Sequence, residues 1–527
     1  MSRYSPLHPF AFGLYPVLAL LAGNSGEAQL ADAGRSLVAA LMLAALALVA
    51  GRLLLRDWSK GAALATASLI LFHGYGHVYR VIEGVSWGGV LIGRHRTLLA
   101  ISLILLAGIA VWLSRRALSS QVTVALNLSG ALLLAMPAFQ IGRFEIRNWG
   151  QTRDRQTGLD AQTLSLTTGG PAGSPDIYYI ILDEYARADV LQDVYAFDNR
   201  DFISFLESRG FSVFDRSRAN YAQTELSLAA LLNLDYIQAL SPDLTAREGD
   251  RSPLSVLMRQ NVVRQSLEAA GYRTVAFPTG FGWSEWTDAD WYLEPTLSSL
   301  DRARYLGVYN PFEGMLLANS MAVVAVEAVQ RTGADLEFPY RMHRATALNT
   351  LERLGDDVPG LPGPKLVFAH VIAPHGPWVF DADGNPARNP DPVVGYRDEV
   401  VFLNGMLSRV VDRILQLSEV PPVIILQADT GPGVGLRWEE PPSGETLWAR
   451  MTIFNAICLP GGDAADVSNE LSSVNTFRLV FNHVFDVDLS LLPNRSYFSV
   501  WDYPYDFQDV TDEVRDYLGG RAPEVAP

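Results

Sequence analysis

Pro175-Asp-Ile-Tyr-Tyr-Ile-Ile-Leu-Asp-Glu184 is the stretch on which the reading of this chain turns. From Ile177 to Leu182 the residues are apolar and β-favouring with no polar alternation, which is how a strand buried on both faces of a parallel sheet reads. Parallel neighbours need long crossover connections, usually helical, so helices and strands should alternate downstream. They do. Amphipathic segments near 198–209, 253–270 and 396–417 are interleaved with β-rich runs at Tyr272–Phe277, Leu366–Ile372 and Val423–Gln427. This pattern predicts an α/β unit with a central, mostly parallel sheet and helices on both faces.

In such sheets, functional groups gather at the carboxyl ends of the strands. Three of the expected strands end in reactive residue types: Leu182-Asp183-Glu184, Ile372-Ala-Pro-His375 and Leu426-Gln-Ala-Asp429-Thr430. A single Asp after a strand reads equally well as a helix cap or turn residue. Capping alone gives no reason for several such ends to share one sheet edge.

Upstream of the deciding strand, 148–175 is polar and rich in Gly, Thr and Gln, the composition of a linker. Before it lie five apolar stretches, at about 8–23, 36–55, 61–80, 97–114 and 121–140, most of them near the ~20 residues a membrane-crossing helix needs. Arg3 ahead of the first suggests a signal peptide, but the further apolar runs and the lack of a small-residue cleavage site favour a retained anchor. The division expected is therefore a bundle of about five transmembrane helices over 1–142, a linker over 143–175 and an α/β domain over 176–527. An odd number of spans places the chain ends on opposite faces. Arginines and lysines are distributed too evenly over the loops to set the orientation. In the third stretch His73 and His77 stand four residues apart, a metal-like spacing on a helix, but no further ligand accompanies them, and an interfacial position with close glycine packing reads equally well.

Composition agrees with this division. The 527 residues are 49% hydrophobic and 19% charged, with a formal net charge of −16 that falls mainly after residue 150. That balance argues against nucleic acid as a partner. It also means that an anionic substrate would have to meet a local exception to the global sign. The lone Cys458 sits in an apolar, strand-like run and reads as core; no intrachain disulfide is possible.

Four separated motifs, in order, resemble the membrane-bound, sulfatase-like hydrolases and transferases of the alkaline-phosphatase superfamily, of which lipoteichoic acid synthases and lipid A phosphoethanolamine transferases are members. They are the strand ending at Asp183, the segment Ser217-Arg-Ala-Asn-Tyr-Ala-Gln-Thr224-Glu-Leu-Ser-Leu-Ala-Ala-Leu-Leu-Asn233, His370-Val-Ile-Ala-Pro-His375-Gly-Pro, and Ser473-Val-Asn-Thr-Phe-Arg478. The resemblance implies that Thr224 is a nucleophile at the start of a helix and that His375 assists as a donor. It also implies that Asp183, Thr224, Asp429 and the position of Thr430 hold one divalent cation, manganese, magnesium or zinc. A threonine hydroxyl needs such activation at neutral pH, by a base or a cation. Taken from the residues alone, Thr224 is also an ordinary helix cap.

One position departs from the pattern. Where the family carries Asp-His-Gly this chain has Asp429-Thr430-Gly431, and a hydroxyl is a weaker ligand for zinc or manganese than an imidazole. Glu184 likewise replaces the usual glycine after the first Asp. A formylglycine sulfatase is not expected, since no Cys/Ser-x-Pro-x-Arg run occupies the nucleophile segment. Two readings follow. In the first, this is a bacterial plasma-membrane enzyme whose extracytoplasmic domain transfers or hydrolyses a phosphoryl-linked group on an envelope lipid or glycan through Thr224. In the second, it is a metal-poor, catalytically degenerate domain acting as a membrane-anchored binding or scaffold protein.

Overall fold

The computed structural model describes residues 5–24, 30, 32–87, 90–91, 93–159, 163–166, 173–295, 311–331, 338–387, 391–439, 442, 444–461 and 469–519. They fall into two compact units. The first comprises Met1–Arg147 and Leu297–Pro339, the second Asn148–Thr296 and Tyr340–Pro527.

Helices stand at the five expected places, α1 (His8–Gly23), α2 (Gly34–Leu55), α3 (Trp58–Ile82) and α4 (His95–Arg115) within the first unit and α5 (Ser120–Leu159) running past its boundary at Arg147. Three of them are long and apolar enough to cross a membrane: α2, α4 and the Ser120–Ile146 part of α5. The expectation of about five spans is thus too high. α1 has 16 residues, a rise of only ~24 Å against ~30 Å of hydrocarbon. In α3 the apolar run is diluted by Lys60, His73, His77 and Arg80. The segment 143–175, expected as linker, is helical as far as Leu159.

A feature without any signature in the sequence is the return of 297–339 to this unit. Its helices Pro311–Ala318 and Ala322–Arg331 pack on the bundle. Arg35 pairs with Glu313 at 2.8 Å, the Met321 N–H donates to the Phe72 carbonyl at 2.8 Å, and the Gly76 N–H donates to the Asn319 carbonyl at 3.0 Å. Gly76 permits this approach, since a Cβ there would lie 2.4 Å from the Ala318 carbonyl oxygen. The two α3 histidines do not converge. His73 has neither ring nitrogen hydrogen-bonded among the described residues, while His77 accepts from Arg80.

The second unit is built on a seven-stranded sheet of β1 (Ile177–Leu182), β2 (Phe211–Val213), β3 (Arg273–Ala276), β4 (Trp291–Tyr292), β5 (Lys365–Val371), β6 (Val423–Gln427) and β7 (Asn455–Cys458), in the spatial order β2-β7-β6-β1-β5-β3-β4. β1 is central and pairs in parallel with β5 and β6; β3 and β4 continue the parallel half. At the other edge β7 runs antiparallel to both of its neighbours, β6 and β2. Every residue of β1 is buried. Tyr178, Ile180 and Leu182 enter the core on one face, and Ile177, Tyr179 and Ile181 the core on the other. Each such side chain contributes ~1.5–3 kcal/mol by leaving water, which fixes β1 in the middle of the sheet. Cys458 lies on β7, 8% exposed, as its apolar surroundings suggest.

Candidate active site

The carboxyl ends of β1, β5 and β6 are adjacent because those strands are neighbours in register: Leu182 pairs with Val371 and Ile181 with Gln427. Their next residues therefore come together at one edge. Asp183 donates its N–H to the Val371 carbonyl at 3.0 Å, and the Glu184 N–H donates to Asp429 Oδ1 at 3.1 Å. Glu184 turns the chain away with φ of 62°, a left-handed position where glycine is the usual residue.

Thr224 opens the helix Thr224–Leu232 and is half-buried. Its location is fixed from both sides. The Gln223 side chain donates to Ser499 and Val500 oxygens at 3.1 to 3.3 Å and accepts from Arg251 at 2.6 Å. One turn into the helix, Ser227 donates from its hydroxyl to the Asp429 carbonyl at 2.7 Å. The Thr224 side chain is close enough to the Asp429 carboxylate to act against the rise that burial imposes on its pKa. The residue expected as nucleophile and one expected as a metal ligand are thus neighbours.

The remaining site residues complete a buried, mixed-charge floor. His370 Nε2 lies 3.4 Å from Asp183 Oδ2 without an aligned hydrogen bond, and both His370 ring nitrogens and Asp183 Oδ1 are buried without a hydrogen-bond partner among the described residues. His375 is at the rim, its side chain 41% exposed, with Nε2 3.8 Å from Glu184 Oε1 and Nδ1 2.5 Å from the Gly376 carbonyl. Arg450, penultimate in the helix Gly444–Met451, pairs with Glu184 and donates to the Gly431 carbonyl and the Ala222 carbonyl, each at 2.8 Å. Thr430 is fully buried, its hydroxyl 3.4 Å from Asp429 Oδ2. Gly431 has no alternative, since a Cβ there would lie 2.0 Å from the Ala449 carbonyl oxygen.

Electrostatics divide the two carboxylates. Burial pushes Asp183 up, but the neighbouring His375, His370 and Arg450 outweigh it and hold the group below the ordinary carboxylate value. Asp429 is pushed up to about 6, by burial first and then by the Asp183 charge. For His375, burial works against the charged form, while Asp183 and Glu184 raise its pKa above the ordinary value. His343, from the helix Phe338–Asp356, also belongs to this environment; burial lowers its pKa to about 4, and its Nε2 has no hydrogen-bond partner among the described residues.

Sequence reading placed Asp183, Thr224, His375, Asp429 and Thr430 here and missed Arg450, His370 and His343 as members. His370 was visible only as part of a motif. Arg450 sits in an ordinary amphipathic helix, 19 residues from the Gly431 that it contacts, and nothing local marks it.

The donor set that the resemblance implies, two carboxylates and two hydroxyls, is a poor match to zinc. Among the described residues no three His, Cys, Asp or Glu side chains are grouped so as to hold a metal ion. The Glu184 carboxylate is already paired with a guanidinium, and the Thr430 hydroxyl is turned to Asp429. Beside the floor lies a cleft of about 380 Å³ lined by Trp438, Glu439, Val500, Trp501, Asp502 and Tyr503. The Arg450 guanidinium is 5.6 Å from the Trp438 ring, and Val500 accepts from Gln223, so this cleft adjoins the Thr224 end of the floor.

No sequence-family profile matches the chain, and no curated protein is recovered as a relative. Among solved structures the chain is similar to the C-terminal periplasmic domain of EptC from Escherichia coli, at 12% identity and a TM-score of 0.42 over 65% of this chain and 94% of that one. It is also similar to the integral membrane lipooligosaccharide phosphoethanolamine transferase A of Neisseria meningitidis, at 11% identity and a TM-score of 0.38 over 90% and 95% of the two chains. A 2-O GAG sulfatase gives 14% identity and a TM-score of 0.35 over 60% and 72%. Likeness at this level says nothing of activity.

Proposed function

We propose that the second unit transfers or hydrolyses a phosphoryl- or sulfuryl-type group carried by an envelope lipid or glycan, through attack by Thr224, on the extracytoplasmic side of a bacterial plasma membrane. One observation carries this reading: a half-buried threonine at the first turn of a helix lies beside a fully buried carboxylate just past the end of β6, and Ser227 of the same helix donates to that residue's carbonyl. A helix cap bonds its own backbone; it needs no carboxylate from another strand.

The chemistry runs through this chain's own groups. Thr224 Oγ forms the bond to the central phosphorus or sulfur as the bond to the leaving oxygen breaks, and the hydroxyl proton passes to Asp429. Backbone N–H groups at the helix N-terminus favour the oxygens on the transferred group. His375, at the rim and with its pKa raised by Asp183 and Glu184 against the effect of burial, donates the proton that the leaving oxygen needs. In the second half, water or an acceptor hydroxyl attacks the threonine ester, and the protons return by the same path.

The test is a trapped intermediate. Full-length protein in detergent, given an activated aryl phosphate or aryl sulfate ester, should carry the added group on the peptide containing Thr224 by mass spectrometry. Thr224→Ala should abolish the adduct and lower turnover by ~10³-fold or more. Thr224→Ser should retain part of it. Wild-type turnover by Thr224→Ala would sink the assignment. The shortage of metal donors also favours the binding or scaffold reading, which predicts no adduct with either ester.

A further inference from the structure

The floor of the site is acidic, and the fixed cation Arg450 is only partly spent on neutralising it. Arg450 carries five N–H donors. Its Nε–H goes to the Ala222 carbonyl, and its Nη1 donors go to the Gly431 carbonyl and Glu184. Nη2 makes no hydrogen bond to any described residue, although the side chain as a whole is 5% exposed. These bonds hold the guanidinium against the three segments that build the site: Ala222 is two residues before Thr224, Gly431 two after Asp429, and Glu184 adjoins Asp183. The Trp438 ring 5.6 Å away places the same guanidinium at the edge of the aromatic cleft. A rigid, desolvated guanidinium with two free N–H groups on one nitrogen is suited to an oxyanion.

We propose that Arg450 is the oxyanion-binding cation of this site. Its Nη2 edge and the first N–H groups of the helix Thr224–Leu232 hold a tetrahedral oxyanion, phosphate or sulfate, with no divalent cation required. The inference rests on reading this floor as the reactive site, and it accounts for the departure at Thr430. A chain that supplies the positive charge from a side chain has no use for an imidazole ligand there. A fixed guanidinium beside Glu184 also repels a second cation from the same carboxylates.

The experiment uses the full chain in detergent, with inorganic phosphate and inorganic sulfate as separate probes in titration calorimetry, before and after EDTA. Elemental analysis of the purified protein and a manganese and zinc titration accompany it. Wild type should contain far less than one equivalent of metal and should bind one of the two anions with an affinity that chelation leaves unchanged. The anion that binds identifies the transferred group. Arg450→Lys, which keeps the charge and loses the planar fork, should weaken binding about tenfold, and Arg450→Met should abolish it. The nucleophile assignment is read separately, from the ester adduct on the Thr224 peptide, so its failure and failure of this one are separable. Stoichiometric metal, or anion binding that disappears on chelation and returns with manganese or zinc, overturns the proposal. So does binding of neither anion, or unchanged binding in Arg450→Met. If Arg450→Met fails to fold, the Arg450→Lys and chelation measurements decide.

Discussion

His95 in the first unit and His370 in the second each stand beside a carboxylate, and the two are treated in opposite ways. His95 Nε2 meets Glu327 at 3.0 Å, its Nδ1 meets the Tyr75 hydroxyl at 3.0 Å, and its ring stacks on Tyr79. Every polar atom of that ring is used. His370 is fully buried next to Asp183, yet neither of its nitrogens is bonded, and Asp183 Oδ1 is unbonded as well. An unmet buried polar atom costs about 1–3 kcal/mol, and most proteins leave few of them. The satisfied histidine reads as a fastener between α4 and the returning segment. The unsatisfied pair is a standing cost to the fold, of the kind that persists where a bound group completes the set. Substitutions at the two places should therefore trade off differently between stability and turnover.

The largest expected effect is at the rim of the unsatisfied site. His375→Ala should lower turnover of an aryl phosphate or sulfate ester by ~10²–10⁴-fold while moving the thermal midpoint of the full chain by no more than about 2 °C. Steady-state kinetics and a melting curve on the same preparation check both halves. A loss of stability with full turnover would reverse the comparison.

An intermediate case sharpens it. Glu399, on the helix Pro392–Leu417, accepts at Oε1 from the Val379 and Phe380 N–H groups, while Oε2 has no partner. Burial raises its pKa from 4.5 to about 8. Between those values the unfolded chain releases a proton that the folded chain keeps, so this group's cost to stability is absent at the acid end, grows as pH rises and is complete above about 8. Glu399→Gln should be close to neutral at pH 4.5 and stabilising by about 2–4 kcal/mol at pH 9. Unfolding midpoints across that range test it; a pH-independent effect would mean that packing, and not ionisation, is what the substitution changes.

The smallest effect belongs to the satisfied node. Glu327→Ala should cost ~1 kcal/mol, because its side chain is 34% exposed and water replaces part of what is lost. Turnover should not change. A double-mutant cycle with His95→Ala should recover most of that energy as coupling, and a coupling near zero would remove the fastener from the argument.

How much of this was legible depends on whether a residue acts through its neighbours in sequence or in space. The run Ile177–Leu182 predicted a central parallel strand because burial on both faces leaves no room for polar alternation, and the ends of three strands fell together because sheet register forces them to. The helix expected over 253–270 is two helices, Ser252–Arg259 and Val262–Ala269, since Asn261 turns back to cap Arg264. The short antiparallel strands β2 and β7 gave no alternation long enough to read. Arg450 was invisible for a different reason. Its helix would look the same whether that side chain faced water or threaded back to Ala222 and Gly431.

The return of 297–339 sets how the protein can be cut. A chain begun at Asn148 would carry that segment into water without Arg35 for Glu313, without the Phe72 carbonyl for Met321 and without His95 for Glu327. Phe312, 2% exposed among Val17, Leu21, Ala33 and Ala40, would lose those neighbours and be laid bare. Excision at the polar stretch ahead of β1, the natural place for a protease or an expression boundary, therefore yields an α/β unit with an orphaned apolar insertion that promotes association. Removing the insertion between Pro295 and Tyr340 as well should relieve that association.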